Sequence, residues 1–147
     1  MSSMPYEHRA VSPVMRVTAQ ALDDVRAWAC AGYPNEMCGL LVGRSLEVVR
    51  AVPARNRAGE RARERYELDP LDHLAAECAA QEQGLEIVGV WHSHPDHPAR
   101  PSEADRLAAW EGWSYWIVAV SAAGAGEIRA WRLNGARELV EETLELA

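Results

Sequence analysis

The chain has 147 residues and a formal net charge of −7, and 48% of its residues are hydrophobic. This length fits one domain with a proper core, and no segment approaches the length of a membrane span. The surplus of acidic residues disfavours nucleic acid as a partner. The three cysteines, Cys30, Cys38 and Cys78, are odd in number and widely spaced. They therefore disfavour a disulfide framework and favour a reducing cytoplasm.

The beginning of the chain is expected to be a loose leader. Residues 1–13 contain no apolar run, so no secretory signal is expected there, and a single domain is predicted over residues 14–147. Hydrophobic spacing and turn residues then predict ten elements in chain order. They are a strand at 15–18, a helix at 19–31, strands at 38–44 and 46–54, a helix from 70 to about 83, a strand at 85–94, a helix at 103–111, and strands at 115–121, 127–134 and 137–146.

The strand LEIVGVWHSH (85–94) is the predicted centre of the fold. Strict alternation puts Ile87, Gly89 and Trp91 on one face and Val88 and Val90 on the other, so both faces are apolar and expected to be covered. The sequence therefore predicts an α/β fold with a central sheet flanked by helices. The charged segment RNRAGERARER (55–65) is interpreted as a solvated loop, with a binding patch as the alternative.

Two histidines at the end of this strand have the spacing of metal ligands. His92 and His94 are separated by one residue, so in a strand they project from the same face. Two imidazoles about 6–7 Å apart along a strand can converge on one ion. The alternative is a surface His-x-His pair without metal. His97 is a further candidate, but it lies in a proline-flanked loop and is expected to be exposed.

Ser102 and Asp105 follow at helical spacing and have two interpretations. Ser-x-x-Asp after a proline is typical of a helix N-cap with an acidic residue at the third helical position. Asp105 could also supply the third ligand of a catalytic zinc site, because a carboxylate in a first helical turn is held rigidly. For Ser102 the two roles compete more directly, since a capping hydroxyl is less free to bind substrate.

A hydrolytic zinc site also needs a base, and Glu36 is the candidate. Glu36 precedes the buried-looking strand 38–44 in a segment otherwise without charge, although an exposed loop glutamate is the alternative. Cys38 is interpreted as a small buried residue, with a fourth metal ligand as the less favoured option. The tryptophans are expected in the core, with Trp110 and Trp113 as candidates for the rim of a groove.

Taken together, these residues resemble a known family. Glu36 in P-x-E-x-C-G-L-L-x-G, then His92-x-His94-Pro95, then Ser102-x-x-Asp105 resemble in order and spacing the motif of the JAMM (MPN-plus) zinc metallopeptidases. RYELDP (65–70) and SYWIVAVS (114–121) resemble the small bacterial members, of the CysO-cysteine peptidase type. The resemblance covers residues 14–146.

The resemblance implies a fold and a set of roles. It implies a cytidine-deaminase-like JAMM/MPN fold, with a mixed central sheet flanked by helices. It assigns Zn²⁺ to His92, His94 and Asp105, the general base to Glu36, and stabilisation of the oxyanion to Ser102. The implied reaction is hydrolysis of the amide bond after the C-terminal glycine of a ubiquitin-like protein.

The resemblance also restricts the class of protein that is expected as the substrate. The segment after Asp105 is too short for the insertions by which larger relatives grip ubiquitin, which favours a small ubiquitin-like sulfur-carrier protein with a Gly-Gly C-terminus as substrate. The product would be cysteine or a short tail. A non-catalytic MPN-type binding scaffold is the alternative function. A zinc deaminase is disfavoured because the chain has no Cys-x-x-Cys pair.

Overall fold

The computed structural model describes residues 14–147, so the predicted leader lies outside the described residues. The elements are β1 (Val14–Val17), α1 (Ala19–Gly32), β2 (Cys38–Arg44), β3 (Glu47–Ala54), a 3₁₀ turn (Gly59–Arg61), α2 (Pro70–Glu82), β4 (Glu86–Pro95), α3 (Glu103–Ala108), β5 (Ser114–Ser121), β6 (Gly124–Leu133) and β7 (Leu139–Leu146). Within residues 14–147, no helix has the length and apolar character needed to cross a membrane.

The seven strands form one mixed sheet that closes on itself. Their order is β1-β3-β2-β4-β5-β6-β7, and β1 closes the sheet by pairing in parallel with both β3 and β7. The neighbours of β4 are β2, which is antiparallel, and β5, which is parallel. In a closed sheet every strand has two neighbours, so β4 is not more central than the others, and its carboxyl end carries the two histidines.

Side-chain caps begin all three helices. The hydroxyl of Thr18 accepts a hydrogen bond from Ala21 N at 3.1 Å at the start of α1. The Asp69 carboxylate accepts from the amides of Leu71 and Asp72 at the start of α2, where Pro70 takes the first helical position. Helix α3 is capped by Ser102. These caps fix where each helix starts, and α2 and α3 begin close to the site.

The prediction of strict alternation along β4 is wrong for the first half of the strand. Val88 has no partner in β2, because Leu41 pairs with Gly89 while Val42 pairs with Ile87. This extra residue is a β-bulge, which shifts the faces by one position. Ile87 therefore lies with Val90 in one core cluster, and Val88 lies with Trp91 in the other. Beyond the bulge the alternation holds, so Val90, His92 and His94 share a face.

The two core clusters lie on opposite faces of the sheet. One contains the buried residues of α1, including Val25, together with Trp91 and Trp116. The other contains Val90, Ile117 and further residues packed against α2 and the segment around α3. The face of β4 that carries the histidines belongs to this second cluster. The site thus lies where the apolar surface under α2 and α3 ends.

Helix α3 is shorter than predicted. It ends at Ala108, and its cap residue Ala109 is extended, whereas the sequence predicted a helix to residue 111. The backbone turns away because Gly112 has a φ of 88° and the amide of Trp110 donates to the Tyr115 hydroxyl at 2.7 Å. This turn leaves Trp110 on the surface, where it is 64% exposed. The expectation that the tryptophans are core residues is therefore wrong for Trp110, while Trp91 and Trp116 are fully buried.

The charged segment 55–65 forms an exposed loop, as its composition predicts. Arg55 contacts the carboxylates of Asp69 and Asp72, and Arg57 contacts Asp69 at 3.0 Å. These ion pairs tie the loop to the start of α2. Cys30, Cys38 and Cys78 are free thiols in the structure.

Candidate metal centre and active site

Strand β4 presents two imidazoles to one point at its carboxyl end. His92 is 1% exposed and His94 is 8% exposed, so both rings are withdrawn from solvent. Their Nε2 atoms lie 3.2 Å apart. The same-face placement predicted from the His-x-His spacing is confirmed.

Helix α3 brings a carboxylate to the same point. Asp105 Oδ2 lies 3.2 Å from His94 Nε2 and 3.4 Å from His92 Nε2. The same oxygen accepts a hydrogen bond from the backbone amide of Ser102 at 2.8 Å, and the Ser102 hydroxyl accepts from the amide of Asp105 at 3.1 Å. These reciprocal bonds form a capping box, with aspartate at the third helical position. Asp105 therefore takes part in the cap and faces the histidines at once.

The three ligand atoms have the separations of a tetrahedral zinc site. Zinc bonds of about 2.0–2.1 Å at tetrahedral angles place neighbouring ligand atoms about 3.3–3.4 Å apart. The observed edges between His92, His94 and Asp105 are 3.2, 3.2 and 3.4 Å. Within residues 14–147 these are the only three His, Cys, Asp or Glu side chains grouped closely enough to hold an ion. The triangle fits Zn²⁺, and its three side chains would supply three of the four ligands of a tetrahedral site.

The surroundings of His94 fix which of its nitrogens is free. His94 Nδ1 lies 3.0 Å from the carbonyl oxygen of Pro98, which can only accept a hydrogen bond. The proton of a neutral His94 ring therefore sits on Nδ1, and Nε2 keeps its lone pair for a metal. The His92 ring stacks on Tyr66, with ring centroids 4.4 Å apart. His92 Nδ1 is buried and has no hydrogen-bond partner among residues 14–147.

The charges at the triangle favour an ionised carboxylate. Burial opposes the charge of Asp105, but hydrogen bonds from His92 and His94 outweigh it and hold its pKa well below the usual range. Burial lowers the pKa of His92 despite the bond to Asp105. Burial also opposes the charge of His94, but Asp105 and the Pro98 carbonyl raise its pKa overall. An ionised carboxylate beside two imidazoles is the donor set that a divalent ion requires.

Glu36 lies next to this triangle because of the pairing of β2 with β4. Cys38 pairs with His92, and the backbone of Met37 continues the contact with Ser93 through two hydrogen bonds. Extending the antiparallel register by two residues puts Glu36 opposite His94, and both residues line the same cavity. Glu36 is 5% exposed, and burial raises its pKa to about 8. The alternative of an exposed loop glutamate is wrong.

The loop before α2 holds the backbone of Glu36. The amide of Glu36 donates to the carbonyl of Ala62 at 2.6 Å, and the side chain of Asn56 donates to the carbonyl of Glu36 at 2.9 Å. The Asn56 amide also donates to Arg65 O, and its oxygen accepts from the amides of Ala58 and Glu67. Asn56 thus uses its full hydrogen-bonding capacity to tie this loop to Glu36.

The Ser102 hydroxyl retains a free proton despite its role as a cap. It accepts from the amide of Asp105 through an oxygen lone pair, so its O–H can still donate. The competition between capping and substrate binding expected from the sequence is therefore weaker in the folded chain. Ser102 is exposed and lines a cavity together with Glu36 and His94.

Two other candidates lie beside the triangle without joining it. The Cys38 thiol is buried, and its single S–H lies within reach of the carbonyl oxygens of Ala54 and Arg55, with Sγ 3.8 and 3.7 Å away. Burial raises the pKa of Cys38 to about 12, so the thiol stays protonated. These contacts support the interpretation of a small buried residue. His97 is exposed, as expected.

Two cavities meet at Ser102. The first, of about 410 Å³, is mainly apolar and includes Tyr66, Leu68, Trp110 and Trp113 in its lining. The second, of about 320 Å³, is called the polar cavity because most of its lining residues have polar or charged side chains, namely Glu36, Glu64, His94, His97, Arg100 and Ser102, with Pro98 as the exception. The indole rings of Trp110 and Trp113 stack at 5.3 Å, which agrees with their predicted place at the rim of a groove.

Three residues at this site were not predicted from the sequence. Tyr66, which stacks on His92, lies in the RYELDP segment that carried part of the family resemblance, but its contact was not foreseen. Asn56 and Arg100 lie in segments interpreted as loops. Only contacts between distant parts of the chain reveal their positions, and short-range patterns do not contain that information.

Comparison with known proteins gives a consistent result. Residues 18–134 match the family described as prokaryotic homologues of the JAB domain. A desampylase from Haloferax volcanii is 37% identical over 121 residues, covering 80% of this chain and 85% of that protein. A CysO-cysteine peptidase from Mycobacterium bovis is 29% identical over 123 residues, covering 82% and 83%. A solution structure of a Salinibacter ruber protein has 41% identity and a TM-score of 0.72, covering 90% of this chain and 92% of that one.

Proposed function

Since this chain belongs to the family of prokaryotic JAB-domain homologues, which are metallopeptidases of the JAMM type, we propose that it hydrolyses the amide bond after the C-terminal glycine of a ubiquitin-like sulfur-carrier protein. The JAMM/MPN fold expected from the sequence is confirmed. The observation that carries the proposal is the zinc-sized triangle of His92, His94 and Asp105 beside the buried Glu36. Its relatives include proteins named for desampylation and for cleavage of CysO-cysteine.

In this proposal, His92, His94 and Asp105 hold the metal. A zinc ion bound there supplies a Lewis acid that lowers the pKa of water to about 7 and polarises a carbonyl group. The hydrogen bond from His94 Nδ1 to Pro98 O keeps the ring in the tautomer whose Nε2 faces the triangle. The capping box likewise orients Asp105, because its hydrogen bonds hold the carboxylate in the first turn of α3.

Glu36 is the proposed general base. It takes a proton from the attacking water and passes it to the nitrogen of the leaving amine when the C–N bond breaks. Its burial suits this task, because a pKa near 8 makes the carboxylate a stronger proton acceptor than an exposed glutamate. Asn56 and Ala62 hold its backbone in place throughout.

Ser102 is the proposed oxyanion donor. As water adds to the carbonyl carbon, negative charge develops on the carbonyl oxygen, and the free O–H of Ser102 donates to it. Such a donor is fixed in advance, because the cap to Asp105 holds the side chain, and fixed donors act most strongly on developing charge.

The cavities support a carrier protein as substrate. A slim Gly-Gly tail suits the apolar cavity, which is lined by the loop before α2 and by the start of α3 and reaches the triangle at Asp105. Trp110 and Trp113 offer aromatic surface at its rim for the residues before the glycines. We also propose that residues 14–147 form one domain and that the protein works in a reducing cytoplasm, in keeping with its free thiols.

The proposal is tested with a ubiquitin-like carrier that ends in Gly-Gly and carries a short C-terminal extension. The zinc-loaded protein is expected to release the extension, and mass spectrometry should find a carrier that ends at the second glycine. A chelator should stop the reaction, and added zinc should restore it. An intact carrier after prolonged incubation with zinc-loaded protein would contradict the proposal and favour a non-catalytic binding role.

A further inference from the structure

An exposed arginine lines the polar cavity beside Glu36, and the reaction described above does not use it. Arg100 lines this cavity together with Glu36, His94 and Ser102. Its guanidinium makes no hydrogen bond or ion pair with any other residue in the part of the chain that the structure describes. The backbone around it is well anchored, because Ala99 is fully buried and its carbonyl accepts from the indole of Trp131 at 3.2 Å.

The other charges of the cavity do not neutralise Arg100. Glu64 lines the same space, but its carboxylate is held by Arg61 at 3.0 Å. Glu36 is the proposed base, and His94 is a proposed metal ligand. His97 contributes a second imidazole ring to the cavity but no negative charge. A guanidinium in this position is therefore available to an anionic group of a bound molecule.

The position of Glu36 indicates which half of a substrate occupies this cavity. The base must reach the leaving nitrogen to protonate it, so the leaving group lies on the side of Glu36. Glu36 does not line the apolar cavity, and of the two cavities that it does line, only the polar one also contains His94 and Ser102. The carrier tail then approaches through the apolar cavity, and the leaving group enters the polar one.

We infer that Arg100 binds the α-carboxylate of the leaving group, so the preferred substrate is a carrier extended by a single amino acid. This inference rests on the proposed hydrolase function and names its substrate class. In such an adduct the carboxylate is two bonds from the scissile nitrogen, which keeps it within the same cavity as Glu36. Guanidinium pairs with carboxylate through two parallel hydrogen bonds, which a neutral group cannot match.

Other leaving groups would leave Arg100 without a partner. A longer peptide tail presents a neutral amide at this position, and a lysine side chain in isopeptide linkage presents methylene groups. Neither offers a charge to the guanidinium. Hydrolysis itself is the same for all of them, since the oxygen of water joins the glycine carbonyl carbon and a proton goes to the departing nitrogen. The distinction lies in substrate binding.

The test compares two substrates that differ in one group. A Gly-Gly carrier is extended by one alanine, either with a free carboxylate or as the carboxamide. Alanine is used because the thiol of cysteine could bind zinc directly. The wild-type protein should favour the acid by about tenfold in kcat/KM, and Arg100→Gln should bring the ratio close to one. Arg16→Gln, which removes an exposed arginine of β1 outside the cavity, should keep the wild-type ratio.

A binding measurement separates this inference from the proposed function. Glu36→Gln protein should bind the uncleaved acid more tightly than the carboxamide, and the added Arg100→Gln change should remove the difference. Equal binding of the two forms, or an unchanged kcat/KM ratio in Arg100→Gln, would overturn the inference. Tighter binding of the acid without cleavage by the wild type would uphold carboxylate recognition and contradict the hydrolase proposal.

Discussion

Replacing Ser102 by glycine should separate its two roles at the site. Glycine is tolerated as an N-cap and lowers the stability of the helix by roughly a few tenths of a kcal/mol relative to serine. Alanine at the same position lowers it by about 1 kcal/mol. The backbone amide of residue 102, which donates to Asp105 Oδ2 at 2.8 Å, is kept in the glycine variant. Asp105 should therefore stay in place, and the variant should lose only the hydroxyl.

The expected loss of activity is much larger than the loss of stability. One fixed donor to a developing oxyanion contributes about 10²–10³-fold in kcat, which corresponds to about 2.7–4 kcal/mol. Ser102→Gly should thus lower kcat by about two to three orders of magnitude while the zinc content and the unfolding midpoint stay near those of the wild type. The assay is release of the C-terminal extension from a Gly-Gly carrier under saturating substrate.

A second cap provides the matched control. Thr18 caps α1 through its hydroxyl, which accepts from Ala21 N at 3.1 Å and also donates to Val49 O at 3.0 Å. Thr18→Gly should therefore cost at least as much stability as Ser102→Gly, with kcat unchanged. If Ser102→Gly kept kcat within about threefold of the wild type, the oxyanion role would be refuted. Loss of zinc in Ser102→Gly would instead show that the hydroxyl is needed to place Asp105.

Four further predictions concern the neighbouring residues. Glu36→Gln should keep its zinc and lose about 10²–10⁴-fold in kcat, and near-normal turnover would refute the base assignment. His92→Ala and Asp105→Ala should lose zinc, which elemental analysis would detect; equal zinc in variant and wild type would contradict the ligand set. Asn56→Ala should lower the free energy of unfolding by about 1–3 kcal/mol and lower kcat more than it raises KM, while a fully normal kcat would show that its bond to the Glu36 carbonyl does not position the base. For metal-free protein, thermal unfolding should show stability falling as the pH rises from 4.5 towards about 8, because the folded chain holds the Glu36 proton that the unfolded chain releases, and a wild-type pH dependence in Glu36→Gln would contradict this.

The spacing of residues predicted the parts of the site that depend on local geometry. His92 and His94 share a face because any strand places alternate residues together, and the Asp69-Pro70 pair begins α2 because both residues suit a helix start. The grouping of His92, His94 and Asp105 is observed in the structure, as the family motif implied. Their roles as ligands, and those of Glu36 and Ser102, stay predictions.

Other features depend on pairing that a single strand does not reveal. The bulge at Val88 arises from the register with β2, so the sequence of β4 alone predicted strict alternation. The early end of α3 at Ala108 depends on a hydrogen bond to Tyr115, which lies on the next strand. The hydrogen bonds of Asn56 likewise join three separate segments around Glu36. Long-range partners decide each of these, and local propensity does not specify them.

The positions of His94 and Asp105 have a further consequence for the loop between them. Any ion held by both side chains cross-links β4 to α3 and closes residues 95–104 into a ring. Ring closure restricts the conformations open to that stretch, so metal affinity and the order of the loop are two measures of one equilibrium. Stripping the metal should therefore speed amide hydrogen exchange in residues 95–104 and leave the interior of α1 as protected as before.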